Sequence, residues 1–218
     1  GPVAALRLAD LGAEVIKIER PQGGDLCRSM VVNDQRLDGD SLVFHTFNRG
    51  KKSVTADLKR PEDLADVRRL IETADVMIHN FRPGVMDRLG LGWEDVRAVN
   101  PGCVYISMSG FGATGPWVKA PGHDLNYLAL AGVTSLCGTP GGAPEHTFGL
   151  PVADLGGALY GLSSVLAAII QRDRTGEGQH IDLSITDCLA HWVNTRRGPY
   201  NHGDIHDLEA QRHVALVR

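Results

Sequence analysis

Short apolar runs of strand length alternate with longer segments of helical periodicity along most of this chain. The clearest runs are AEVIKIE at 13–19, VMIHNF at 76–81 and VYISMS at 104–109, and each is followed by glycine or proline within two residues. Runs of this length and composition are typical of strands. Because strands that alternate with helices require right-handed crossovers, the pattern predicts an α/β fold in which helices cover both faces of a parallel sheet.

Further elements follow from the same periodicities. Strands are predicted at 53–58 and 180–183, and helices from Pro61 and at 85–89, 93–99, 125–133 and 154–172. The polar, glycine-rich residues 22–40 predict a mobile loop. Ligands of such sheets bind beyond the carboxyl ends of the strands. That rule points to Arg20, Lys59, the turn at 80–82 and the loop at Gly110.

Charge and cysteine content exclude several classes of protein. The net charge of −4 argues against a nucleic-acid-binding surface, although a local basic pocket for an anion stays possible. The four cysteines form no CxxC pair, so neither a zinc site nor a disulfide framework is indicated. Every apolar run is interrupted by glycine or a charged residue before it reaches membrane-spanning length. We therefore expect a cytoplasmic protein with neither nucleic-acid nor membrane partners.

The sequence GFGATG at 110–115 matches the G-x-G-x-x-G pattern of dinucleotide-binding loops and follows a strand. That fold also needs a helix that starts inside the motif and an acidic residue about 20 positions on. Here Pro116 and Trp117 follow the third glycine, and the later region is apolar. The motif therefore favours a backbone turn that allows close approach, with a nicotinamide oxidoreductase as an alternative.

Seven stretches, in order, resemble the family III CoA-transferases, a family that includes the 2-methylacyl-CoA racemases. They are LADLGAEVIKIERP, NRGKKSVTADLK, ADVMIHNFRPGVMDRLGL, SMSGFGATGP, PGHDLNYLALAG, VADLGG and RTGEGQHIDLS. The resemblance implies a Rossmann-like large domain, a smaller second domain and an interlocked homodimer. Residues 1–200 then correspond to the CoA-binding large domain without its N-terminal strand, and residues 201–218 to the start of a linker toward the second domain.

Within that resemblance, GHD followed by NYLALAG is the form found in the racemases. His123 then corresponds to the base on one face of the substrate and Asp154 to the acid–base group on the other. In the transferases the same aspartate is the nucleophile. We therefore expect a racemase that inverts C2 of 2-methylacyl-CoA thioesters. The alternatives are a CoA-transferase that forms an aspartyl anhydride and a non-catalytic CoA-binding module.

These residue types suit proton transfer next to a thioester. Inversion needs one group to remove the proton and a second to return it from the opposite side. His and Asp are each able to accept or donate that proton. In a helix that starts at Asp154, Gly156 and Gly157 would leave the first-turn N–H groups uncovered by bulky side chains, so that the backbone there can donate to the enolate oxygen. A purely structural interpretation makes Asp154 a helix cap, His123 a loop or cap residue, and Tyr127 a packing residue.

The resemblance also implies a CoA pocket. It places the cations Arg20, Lys59 and Arg88 near the CoA phosphates, with Asn80 and Phe81 shaping the pocket. An arginine fork matches phosphate because it donates two parallel hydrogen bonds. The simpler interpretation is that the cations are solvated and Phe81 belongs to the core. CoA is then part of the substrate, so neither a metal nor a separate cofactor is expected.

Overall fold

The computed structural model describes residues 1–30, 35–139, 141–146, 149–194 and 196. The described residues divide into two compact units, one formed by those of 1–107 with 161–181 and the other by those of 108–160 with 182–196. The predicted boundary after residue 200 and the predicted linker at 201–218 lie outside the described residues.

The first part of the chain supplies five helices and six strands among the described residues. In chain order they are α1 (Pro2–Asp10), β1 (Val15–Glu19), β2 (Arg36–Leu37), β3 (Asp40–Ser41), α2 (Leu42–Asn48), β4 (Lys51–Thr55), α3 (Pro61–Ile71), β5 (Val76–His79), α4 (Val85–Arg88), α5 (Trp93–Val99) and β6 (Val104–Ser109). The remaining elements are α6 (Asp124–Leu130), α7 (Val152–Thr175), β7 (His180–Ser184) and α8 (Ile185–Trp192). Single turns of 3₁₀ helix occur at Leu26–Arg28 and Thr134–Leu136.

Parallel strands flanked by helices confirm the predicted fold class. β1 pairs with β4 in parallel, with Glu19 opposite Thr55 at their carboxyl ends. β5 pairs with β6 in parallel, with His79 opposite Ser107, and β7 lies on the other side of β6. The residues that follow β1 and β4 therefore leave the sheet at the same edge.

The core of the first unit explains why its helices form where they do. Proline opens α3, and the buried Val67 and Ile71 lie on one face of it at helical spacing. They pack with Met86, Leu91 and Tyr105, which are 5% exposed or less. The Tyr105 hydroxyl donates to the Leu91 carbonyl oxygen at 3.0 Å, so this buried polar group is satisfied.

The second unit has a smaller core at the meeting of three helices. Tyr127 and Leu128 of α6, Ala153 of α7 and Leu189 of α8 form one buried cluster. Ile185, the first residue of α8, packs against it. This cluster holds the first turns of α6 and α7 in place; His123 directly precedes α6, and Asp154 lies in the first turn of α7.

The segment predicted as a mobile loop is anchored over the described part of its length. Arg28 donates to both carboxylate oxygens of Glu19, at 2.8 and 2.9 Å, and also to Asp40. Its guanidinium lies 3.7 Å from the centroid of the Phe44 ring. The polar composition that predicted mobility instead supplies partners for ion pairs, which local periodicity does not reveal.

The prediction that no apolar run reaches membrane-spanning length is wrong for α7. The helix has 24 residues with a mean hydropathy of 1.6 over its most apolar stretch, and 39% of that stretch is buried within the structure. Its length and composition are those of a helix able to cross a membrane, and the core helices of globular domains share them.

All four cysteines are free.

Candidate active site

Asp154 lies in the first turn of α7, but its side chain does not cap the helix. The helix begins at Val152, so Asp154 is its third residue. The Asp154 N–H donates to Oδ1 of Asp124, the first residue of α6, at 2.9 Å. Asp124 therefore satisfies a free N–H of this helix end. The Asp154 carboxylate stays exposed, and its position inside the helix, two residues after the start, excludes the N-cap interpretation.

Desolvation and nearby charges act on the Asp154 carboxylate. Partial desolvation raises the pKa of its carboxyl, the negative charge of Asp124 raises it further, and the charge of His123 opposes them. Asp124 has a buried Oδ2 without a hydrogen-bond partner among the described residues, 4.0 Å from Nε2 of His146. A carboxylate with a raised pKa is more basic, so Asp154 suits attack on a carbonyl or removal of a proton.

His123 precedes α6, and its backbone rather than its ring takes part in capping. Its N–H donates to Oδ1 of Asn126 at 2.9 Å, while the side chain is exposed. Tyr127 is buried, and its hydroxyl donates to the Gly122 carbonyl oxygen at 2.6 Å. The tyrosine is thus a packing residue, as the structural interpretation predicts, and the imidazole of His123 lies at the surface.

Gly156 and Gly157 have a different place from the one predicted. Because α7 starts two residues before Asp154, both glycines fall in the second turn, where helix N–H groups bond to the carbonyl four residues earlier. A Cβ at Gly156 would lie 2.7 Å from the Trp192 ring, and one at Gly157 would lie 2.9 Å from Cγ1 of Ile185. These glycines allow α7 to approach α8. The structure gives no support for them as oxyanion donors.

The GFGATG segment forms a turn and no dinucleotide loop. No helix starts within residues 110–123. Gly110 leaves room for the Tyr127 ring, which a Cβ would overlap. The Ala113 N–H, which a phosphate ligand would need, donates to both carboxylate oxygens of Asp182 at 2.9 and 3.1 Å. The GFGATG motif therefore gives no support to the alternative of a nicotinamide oxidoreductase.

The five residues predicted to bind CoA all lie in the first unit, and all are exposed. Arg20 directly follows β1 and donates from Nε to the Gly24 carbonyl oxygen at 2.9 Å. Phe81 is 47% exposed, so it does not belong to the core, and its ring centroid lies 6.2 Å from that of His79. The other three are Lys59 after β4, Asn80 after β5 and Arg88 at the end of α4. Their exposure leaves them accessible to a ligand, and their role in binding stays a prediction.

The rings of His79 and His180 both contact the hydroxyl of Ser107. Their Nε2 atoms lie 3.0 and 2.9 Å from Oγ of Ser107. Burial lowers the pKa of His79 to about 4, with a further contribution from His180, so His79 is neutral near pH 7. Among the described residues, no group of three His, Cys, Asp or Glu side chains is arranged to hold a metal ion.

Sequence reasoning missed Asp124. Its signal was present, because an acidic residue at the start of a helix is a favoured feature of helix N-termini. What periodicity does not show is that this carboxylate reaches the start of a different helix, 30 residues further along the chain.

Comparison with known proteins places these observations in a family. A family model described as CoA-transferase family III matches residues 1–214. Succinate–glutarate CoA-transferase of Agrobacterium fabrum is 44% identical over 86% of this chain and 48% of its own length. Acetyl-CoA:oxalate CoA-transferase of Acetobacter aceti is 39% identical over 96% of this chain and 55% of its own.

A solved structure agrees with both relatives. The crystal structure of a CAIB/BAIF family protein from Brucella suis superposes with a TM-score of 0.85 at 38% identity, covering 94% of this chain and 54% of that one. The chain thus spans about half the length of the proteins that it matches. The names of the two relatives favour the transferase alternative over the racemase that the sequence ranked first.

Proposed function

The chain belongs to CoA-transferase family III, and from that premise we propose that it moves CoA between carboxylic acids with Asp154 as the nucleophile. The observation that carries this proposal is the exposed, partly desolvated carboxylate of Asp154 at the start of α7. The names of the relatives support the reaction class, and the resemblance of VADLGG supports the residue.

The chemistry needs one carboxylate and the two substrates. A carboxylate oxygen of Asp154 attacks the thioester carbonyl and the C–S bond breaks. CoA departs as the thiolate, and a mixed anhydride remains on Asp154. The thiolate then attacks the Asp154 carbonyl carbon, which releases the first acid and forms an aspartyl-CoA thioester. The incoming acid repeats these steps in reverse order, so CoA ends on the second acid.

The substrate class is proposed from the relatives. Succinate, glutarate and oxalate, which appear in their names, are dicarboxylates. We therefore propose a short dicarboxylic acid, as donor or acceptor, together with its CoA thioester. Arg20, Lys59 and Arg88 would bind the CoA phosphates, with Asn80 and Phe81 beside them. An interlocked homodimer and a second domain belong to the same proposal.

His123 favours a second candidate function. An imidazole near Asp154, indicated by its effect on the pKa of that carboxyl, is the kind of group that a two-base racemase needs. In this reaction Asp154 carries only a proton, and C2 of the thioester exchanges with solvent.

One experiment on the full-length protein separates the two candidates. The protein is incubated with succinyl-CoA and glutarate, quenched with hydroxylamine, and mapped by mass spectrometry, while an acyl-CoA with a 2-methyl branch is incubated in D₂O. We expect an adduct at Asp154 and CoA transfer to glutarate, both absent from Asp154→Asn. Deuterium at C2 of the branched thioester without an Asp154 adduct would instead establish the racemase.

A further inference from the structure

Arg28 joins three parts of the first unit. Its Nε and Nη2 donate to Oε2 and Oε1 of Glu19 at 2.8 and 2.9 Å, and Nη1 donates to Asp40. The guanidinium also lies over the Phe44 ring of α2. A two-bond fork fixes both the position and the orientation of the guanidinium. Arg28 therefore ties its own turn to the end of β1 and to α2.

Further hydrogen bonds join the beginning of segment 20–28 to its later residues. Glu19 is 5% exposed, and its Oε2 also accepts the Asp25 N–H at 2.9 Å. Arg20 follows Glu19 directly, and its Nε donates to the Gly24 carbonyl oxygen at 2.9 Å. The guanidinium of Arg20 is thus held by a loop whose far end Arg28 fixes.

We propose that Arg28 is a positioning residue for CoA binding and acts through Arg20. This inference rests on the proposed function, in which Arg20 binds a CoA phosphate. Phosphate recognition by arginine depends on the orientation of the fork, and a side chain that is already ordered loses less entropy on binding. Arg28 itself is neutralised by Glu19 and Asp40, so it contributes without touching CoA.

Calorimetric titration of the full-length protein with CoA tests the proposal. The variants are Arg20→Ala, Arg28→Lys and the double substitution, because lysine keeps the charge and loses the fork. Arg28→Lys is expected to weaken CoA binding roughly tenfold alone and less than twofold in the Arg20→Ala background, as expected for residues that share one network. Arg49→Lys is the matched control, since Arg49 pairs with Asp10 at 2.7 Å and is expected to leave the affinity unchanged.

Each other outcome overturns the proposal. Wild-type affinity in Arg28→Lys shows that the loop does not need the fork, and an equal loss in both backgrounds shows that Arg28 acts independently of Arg20. If Arg28→Lys does not fold, Glu19→Gln breaks the same fork from the other side and must show the same coupling to Arg20. When only this inference fails, the Asp154 adduct still forms in the wild-type protein, whereas failure of the proposed function removes the adduct.

Discussion

The backbone N–H of Asp154 donates a 2.9 Å hydrogen bond to Oδ1 of Asp124 and so brings a second carboxylate beside the proposed nucleophile. The same carboxylate stabilises the start of α7 and raises the pKa of the Asp154 carboxyl. One side chain therefore acts both on the stability of α7 and on the pKa of the proposed nucleophile, because both effects depend on its negative charge at the helix start.

Asp124→Asn is expected to shift the acid limb of the activity profile to lower pH. The amide oxygen of asparagine still accepts the Asp154 N–H, but the negative charge that raises the pKa of Asp154 is lost. Asp154 then ionises at lower pH. The measurement is kcat/KM of the full-length enzyme against pH, with Asp182→Asn as the control, because Asp182 bonds to the Ala113 N–H instead. An unmoved limb, or one at higher pH, would contradict the assigned role of Asp124.

Asp154→Asn is expected to raise the thermal unfolding midpoint at neutral pH while it abolishes transfer. A carboxyl whose pKa is raised on folding destabilises the native state above that pKa, because the native state binds its proton more tightly than the unfolded chain. The gain should therefore be present at pH 7 and should fade as the pH drops below about 4, the ordinary pKa of aspartate. Calorimetric scans at both pH values test this, and a lower midpoint at pH 7 would refute it.

Most strands and helices followed from local pattern, and two of the exceptions have physical causes. α2 and α8 were missed although both have serine caps, since Ser41 accepts the Phe44 N–H and Ser184 accepts the Asp187 N–H. In α8 the cap is also the last residue of β7, so no loop separates strand from helix. Without a break in the apolar pattern, the periodicity gives no sign that a new helix begins.

The candidate site was predictable as far as residue type, and its geometry was not. His123 and Asp154 could be identified from short motifs, and both lie at helix starts. The start of α7 was placed two residues late, which moved Gly156 and Gly157 into the wrong turn. The choice of racemase over transferase rested on His123 alone, although both reactions use Asp154. A single side chain cannot decide between them when the chemistry depends on which bond forms.

Gly157→Ala is expected to destabilise the protein even though alanine is the better helix former. The new Cβ would lie 2.9 Å from Cγ1 of Ile185, an overlap that costs roughly 1–3 kcal/mol, against a helix-propensity gain of at most about 1 kcal/mol. In an Ile185→Ala background the overlap is gone, so the same substitution should be neutral or stabilising. Urea unfolding of the four proteins measures this, and a loss of equal size in both backgrounds would show that packing against α8 is not the cause.

Glu19→Gln is expected to lower the free energy of unfolding most strongly at neutral pH. Glu19 is 5% exposed and accepts hydrogen bonds from Arg28, Ser53 and the Asp25 N–H. The bond from Arg28 is the largest cause of a pKa that falls from 4.5 to about 2.

A carboxyl whose pKa is lowered on folding stabilises the native state above its unfolded pKa, and this contribution disappears as the pH falls through its folded pKa. The charge of Glu19 should therefore contribute about 3 kcal/mol at pH 7, and the contribution should decline between about pH 5 and pH 2. Glu14→Gln, at the residue just before β1, is the matched control. The exposed pair of Glu14 with Lys52 should contribute under about 1 kcal/mol at any pH. Urea unfolding at pH 7 and pH 3 checks both variants. A Glu19→Gln effect that is as large at pH 3 as at pH 7 would mean that shape, and not charge, accounts for the stability that Glu19 provides.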